Sequence, residues 1–308
     1  MDLTQEHWWS ISLNLKLRES HGDAFQDFFS AIMEKMHGDD FVRVRAFGQL
    51  GDKGCDGYLL SSGQLFQCYG ALNGDKNKVK TLVGKMKEDF EKSKLQLSSI
   101  MTEWYMVHNL VDGLPVEAIL VIKSLEEENP SIKFGFIGKE GVAARIAGLD
   151  ESDKVQLLGP AATNADSLDF QLEELRDLVK NFVAVYSNGE PILENIDPVP
   201  VDKLDANNLP NHWHALISAG WKNAHIVSKY LGDHTDPLIG ANTAEMFNHR
   251  YSYLKAQHLS PELIMDSLYE YVTGIGTVSP ARQVAAQALL AHFFESCDIF
   301  ENIHRELI

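Results

Sequence analysis

Gly51-Asp52-Lys53-Gly54-Cys55-Asp56-Gly57-Tyr58-Leu59-Leu60, followed after a short turn by Phe66-Gln67-Cys68-Tyr69, decides how this chain reads. The runs Gly57–Leu60 and Leu65–Tyr69 are short and apolar. Ser61-Ser62-Gly63-Gln64 between them is turn chemistry, so the pattern predicts a β-hairpin. Asp56 lies at the mouth of the first strand and Gln67 inside the second. Side chains alternate along a strand, so Gln67 and Tyr69 face one side together. Where Asp56 faces that side too, three polar groups converge across a strand pair. A polar residue buried between apolar neighbours is costly unless it finds partners. Taken singly, Gln67 reads as a bond to a nearby loop and Asp56-Gly57 as a simple turn. Their combination at hairpin spacing, after a glycine-rich acidic loop, is what points to a site. A carboxylate with neighbouring oxygens holds a divalent ion that retains waters, and such an ion activates water and offsets phosphate charge.

Working outward, Phe25, Phe28, Phe29, Ile32, Met33 and Met36 recur at helical spacing and predict a helix over 20–37. Strands are expected at 41–45, 104–107 and 132–137, and helices at 75–96, 115–128, 140–148 and 166–185. This order is mixed α/β with a central sheet. Gly189, Pro191, Pro198, Pro200 and Pro210 then break any sustained period. Beyond them everything reads helical, over about 211–231, 236–257, 260–273 and 279–296. The expected division is an α/β domain at 1–190, a linker at 191–210 and an all-α domain at 211–308.

Net charge is −17, with 44% hydrophobic and 23% charged residues, an ordinary globular mix. So acidic a chain should grip nucleic acid poorly without a local basic strip. One exists on the helix after the hairpin, where Lys76, Lys78, Lys80 and Lys85 lead a run continuing through Lys87, Lys92 and Lys94. That run reads either as a solvated face or as a DNA contact. No stretch of about 18 uncharged apolar residues exists, and the start lacks the pattern of a secretory signal. Cys55, Cys68 and Cys297 are odd in number and form no CxxC pair, which fits a reducing cytoplasm. His212, His214 and His225 project in different directions on a helix and read as structural. There is no phosphate-binding P-loop, so ATP hydrolysis by that route is not expected.

Phe25-Gln26, the glycine-rich loop through Asp56-Gly57 and Phe66-Gln67-Cys68-Tyr69 resemble the Mrr-like branch of the PD-(D/E)xK, restriction-endonuclease-like nucleases. More closely, the chain resembles the nuclease subunit of Lamassu-type, or ABC-three-component, bacterial defence systems. Pro200–Leu209, Ala285-Ala286 and Phe293–Glu301 look like the C-terminal domain of such subunits. The resemblance implies a Mg²⁺- or Mn²⁺-dependent endonuclease acting on double-stranded DNA of phages or plasmids. Asp56 is expected to bind metal, with Gln67 and the Cys68 backbone carbonyl as helpers, and Asp52 to be an outer or second-metal carboxylate. Tyr69 is expected to contact water or phosphate. The chain departs from the Mrr-like pattern at Gln26, where a glutamate is usual, and at Tyr69, where the lysine stands. Lys53 is the first expected replacement cation, and Lys80 and Lys85 are the second. The resemblance further implies an SMC-like ATPase partner, a small third subunit, and activation by release and self-association, plausibly into a tetramer. The competing reading is a catalytically inactive nuclease fold serving as an interaction module. An RNase sharing the same site is a third.

Overall fold

A computed structural model of the protein describes residues 2–45, 53–72, 78–184, 203–296, 299 and 300. These divide into two compact units, one of residues 12–158 and one combining 1–11 with 159–308.

The first unit is built on a five-stranded sheet in the order β1-β2-β3-β4-β5. The strands are β1 Phe41–Arg43, β2 Gly57–Leu59, β3 Gln64–Tyr69, β4 Glu103–His108 and β5 Lys133–Ile137. β1, β2 and β3 pair antiparallel, whereas β3, β4 and β5 pair parallel. The expected hairpin is β2–β3, turning at Gly63, whose φ of 71 suits glycine. A Cβ there would also fall 2.7 Å from the Ile100 carbonyl oxygen.

Parallel pairing needs crossovers, and α3 (Lys78–Leu97) and α4 (Val116–Glu128) supply them. Leu82, Met86 and Phe90 on α3 and Ala118, Val121 and Ile122 on α4 pack on Leu65, Tyr69, Trp104 and Met106. Phe66, Cys68 and Val107 point the opposite way. They meet Phe25, Phe28, Phe29 and Ile32 of α2 (Asp23–His37) and Val142 and Ile146 of α5 (Lys139–Ala147). The alternation expected of β3 thus feeds two cores, one on each face of the sheet. Met36, expected on the buried stripe of α2, is 39% exposed at its end.

Three helices were not expected from the sequence, α1 (Leu3–Glu19), α6 (Glu151–Leu158) and, in the expected linker, the short α8 (Lys203–Ala206). α1 has no sustained apolar stripe because it serves two cores. Leu13 and Leu17 belong to the sheet unit, while residues up to Ile11 belong to the helical one.

The helical unit contains α7 (Leu172–Ala184), α8 (Lys203–Ala206), α9 (Asn211–Gly232), α10 (Ile239–Ala256), α11 (Pro261–Thr273) and α12 (Pro280–Glu295). α12 is buried on nearly all sides, from Gln283 through Ala291 to Phe294. It crosses α9 closely at Gly220, where a Cβ would lie 2.8 Å from the Gln287 carbonyl oxygen and 2.9 Å from the Ala291 Cβ. Two polar side chains inside this core find backbone or carboxylate partners. The Gln287 amide donates to the Leu216 carbonyl at 2.7 Å and the Trp213 indole to Asp266 at 2.8 Å.

The observed division falls earlier than the boundary of 190 expected from the sequence. Leu175, Leu178 and Val179 of α7 are fully buried, and α7 contacts α10, α11 and α12. Its apolar stripe therefore belongs to the helical core. Gly159 joins that unit too, accepting a bond from the Trp9 indole at 3.1 Å. Residues 191–202, most of the expected linker, lie outside the described residues.

Candidate active site

Asp56 is held at the open end of β2. The Val44 N–H donates to the Asp56 carbonyl at 3.0 Å, and the Asp56 N–H donates to the Phe66 carbonyl at 2.8 Å. Phe66 is the residue that Gly57 already faces in the ladder. The strand end is therefore offset by one residue in the manner of a β-bulge, a device that re-aims a side chain. The re-aimed carboxylate lies against β3. Its Oδ2 accepts the Gln67 Nε2 amide at 2.8 Å and the Cys68 N–H at 2.7 Å. Asp56 is 6% exposed and Gln67 1%.

With its amide nitrogen turned to Asp56, Gln67 points Oε1 elsewhere, where it is buried and, among the described residues, accepts no hydrogen bond. A buried oxygen left so costs about 1–3 kcal/mol. A cation that reached both Oε1 and the carboxylate would remove that cost. Mg²⁺ fits such a donor set, since it takes one or two carboxylates and keeps several waters. Among the described residues no group of three or more His, Cys, Asp or Glu is placed to hold a metal. The candidate ligands are therefore one carboxylate and one amide oxygen.

The loop before Asp56 is clamped to α3. Gly54 has φ 72, and a Cβ there would fall 2.2 Å from the Asp89 carbonyl oxygen. Ser93 Oγ lies 2.7 Å from the Gly54 carbonyl and 2.9 Å from that of Asp89. This close approach brings Lys85 and Asp89 to the site. Lys85 Nζ lies 2.6 Å from Asp89 Oδ2, an ion pair whose angle is outside hydrogen-bond geometry. Lys92 Nζ lies 3.3 Å from Asp89 Oδ1. Asp89 is 4% exposed, so a buried carboxylate anchors two lysines on one helix. Burial raises the Cys68 thiol well above its usual range, the Asp56 carboxylate raises it further, and Lys85 opposes both. The charges of Asp56 and Lys85 thus act on the same residue of β3.

Gln26 joins the same assembly from α2. Its Nε2 donates to the Val44 carbonyl at 3.2 Å, and its Oε1 accepts from Arg45 at 3.5 Å. Arg45 in turn pairs with Asp27. The structure therefore links Gln26, Asp56 and Gln67 through Val44.

Other expected site residues stand differently. Tyr69 is 7% exposed and part of the core under α3 and α4, so its ring is committed to packing. Lys53 takes φ 61 and, among the described residues, its side chain makes no ion pair. Lys80 and Lys85 line a groove of about 670 Å³ along α3 with Gly84, Asp89 and Lys92. Lys78 opens that helix. Asp52 and Lys76, and the side chain of Lys78, lie outside the described residues. Sequence reasoning missed Asp89 and Ser93. Both sit in a lysine- and glutamate-rich helix, and only the Gly54 contact reveals that their face is buried.

The C-terminal segments singled out in the sequence also meet. Lys203, 1% exposed, donates to the carbonyls of Phe294 at 2.7 Å and Ile299 at 2.8 Å. Its ammonium lies 4.7 Å from the Phe294 ring centre. Residues 173–301 match the family model described as C-terminal domain 10 of the ABC-three component (ABC-3C) systems. The ABC-3C match begins at α7 and covers the helical core just described. The likeness to that group of defence systems thus extends over residues 173–301. No curated protein and no solved structure matches the chain. Among the described residues no helix is long and apolar enough to cross a membrane.

Proposed function

We propose that this chain is a Mg²⁺- or Mn²⁺-dependent endodeoxyribonuclease, the effector of an ABC-three-component defence complex. The observation that carries the reading is the buried Asp56 carboxylate bonded by the Gln67 amide, whose Oε1 finds no hydrogen-bond donor among the described residues. Asp56 and Gln67 hold the ion, which when bound supplies a water of lowered pKa and charge for the phosphate. The Cys68 N–H and the Gln67 amide fix the carboxylate in place. Lys85, anchored by Asp89, supplies the positive charge that the Mrr-like lysine would give. Its placement favours it over Lys53.

The helical unit, carrying the ABC-3C domain, docks the chain to its partners. By the resemblance these are an SMC-like ATPase, which holds the nuclease inactive, and a small third subunit. Release and self-association, to a tetramer, then turn cleavage on. A net charge of −17 suits this scheme. One copy grips DNA weakly, and several joined copies add their basic strips.

The test is plasmid cleavage by the purified chain with Mg²⁺, alone and with its partner subunits. Asp56→Ala and Lys85→Ala should each lose about 10²-fold or more, and Lys53→Ala should lose much less. RNA digested in parallel should survive. One observation favours the inactive-scaffold reading, namely that the Gln26 amide is spent on Val44 and offers no carboxylate. That reading gains if the wild type cuts nothing in any assembly state.

A further inference from the structure

Gly84 stands in the middle of α3, a 20-residue helix, where glycine is about 1 kcal/mol worse than alanine. Packing does not require it. Among the described residues nothing lies within 4 Å of a Cβ built at Gly84. Gly54, Gly63 and Gly220 differ, since a Cβ at each would strike backbone or a packed side chain within 3.0 Å. The missing side chain therefore serves something outside the described fold.

Its surroundings say what. Gly84 lies in the groove that Lys80, Lys85 and Lys92 line. Lys80 and Glu88 flank it at four-residue spacing on the same helical row, so the missing side chain leaves a gap between them. Glu88 is held by Lys92 at 2.8 Å and Asp89 by Lys85. The acids of the groove are thus matched by cations, and Lys80 makes no ion pair among the described residues. On a chain of net charge −17, this leaves Lys80 as the groove's one unmatched cation among the described residues, which favours a phosphate beside it. The same helix reaches the Asp56 loop through Ser93.

We infer that Gly84 is a notch in which the sugar–phosphate backbone of a DNA strand lies against the helix backbone of α3, between Lys80 and Lys85. Glycine permits that close approach, and Lys80 neutralises an adjacent phosphate while Lys85 stays paired with Asp89. The inference rests on the nuclease reading for its substrate, but it is tested by binding rather than by cleavage.

The experiment uses the full chain in EDTA and a fluorescent 20-base-pair DNA duplex, with an RNA duplex of the same length alongside. Gly84→Ala should raise the Tm by about 2–4 °C through helix propensity, yet weaken DNA binding about fivefold or more. Gly84→Leu should weaken it further with the fold intact by circular dichroism. Lys80→Ala should lower the salt slope of binding by about one. Gly84→Ala binding within twofold of wild type, or a lowered Tm showing that something already fills the notch, overturns the inference. So does a wild type with no affinity for the duplex, or one preferring the RNA. Binding that behaves as expected without any cleavage in Mg²⁺ would instead count against the nuclease reading alone.

Discussion

The two bonds accepted by Asp56 Oδ2 make its carboxylate structural as well as chemical. Asp56→Ala leaves a buried N–H and a buried amide without an acceptor, at a cost of about 1–3 kcal/mol. It should therefore lower the Tm as well as abolish cleavage. Asp56→Asn keeps the shape, so its activity should fall about 10²-fold with a smaller loss of Tm. Comparing the two by cleavage and thermal melting separates chemistry from folding. At Asp89 the expected effect is indirect. Asp89→Asn frees Lys85 and Lys92 from their shared anchor, so kcat should drop while KM for DNA changes little. The sequence made Asp56 and Gln67 legible because each is a polar residue interrupting an apolar run. It did not make Asp89 legible, because burial there depends on a loop packing from elsewhere in the chain. Tyr69 carried the opposite error. As a motif position it suggested chemistry, whereas the alternation of β3 puts it in the core with Leu65.

Elements show a similar split. α2 and α3 were readable from local periodicity, since each buries one face against one core, and β2 and β3 from short apolar runs that supply both cores. α1 was not, because its two ends serve different cores and no single stripe results. The last residue of β4, His108, gives this scale a pH-dependent expectation. It is 3% exposed, and burial lowers its pKa from 6.5 to about 4. Its Nδ1 accepts the Leu110 N–H at 3.3 Å, which suits the neutral ring. The unfolded chain binds the proton at higher pH than the folded one. Stability should therefore be intact above about pH 6.5 and fall, by on the order of 3 kcal/mol, as pH drops to about 4. Urea unfolding across that range should show the slope in the wild type, and His108→Gln should show a shallower one, since burial lowers the pKa of His292 and His7 as well. In the helical unit, Gly220→Val forces α9 and α12 apart where a Cβ already meets the Gln287 carbonyl at 2.8 Å. Overpacking of this kind costs about 1–3 kcal/mol. Circular dichroism melting should register the loss.

For the whole molecule, the sequence revealed two kinds of architecture but placed their boundary too late. Proline-rich composition marks where the chain lacks regular structure, whereas α7 joins the helical core through an amphipathic stripe whose partner lies a hundred residues on. The Lys203 bonds to Phe294 and Ile299 close that unit across a similar distance. Lys203→Met should destabilise it, and with it capture of the chain by its partner subunits. Pull-down and melting of the variant should fall together. The account depends most on the buried pairing of Asp56 with Gln67, and plasmid cleavage by wild type and Asp56→Asn, assembled with the proposed partner subunits in Mg²⁺ and again in EDTA, tests it most directly. Wild type should cut only with the metal, and Asp56→Asn should cut about 10²-fold more slowly or not at all. Equal cutting by the two proteins, or none by either in any assembly state, would contradict it.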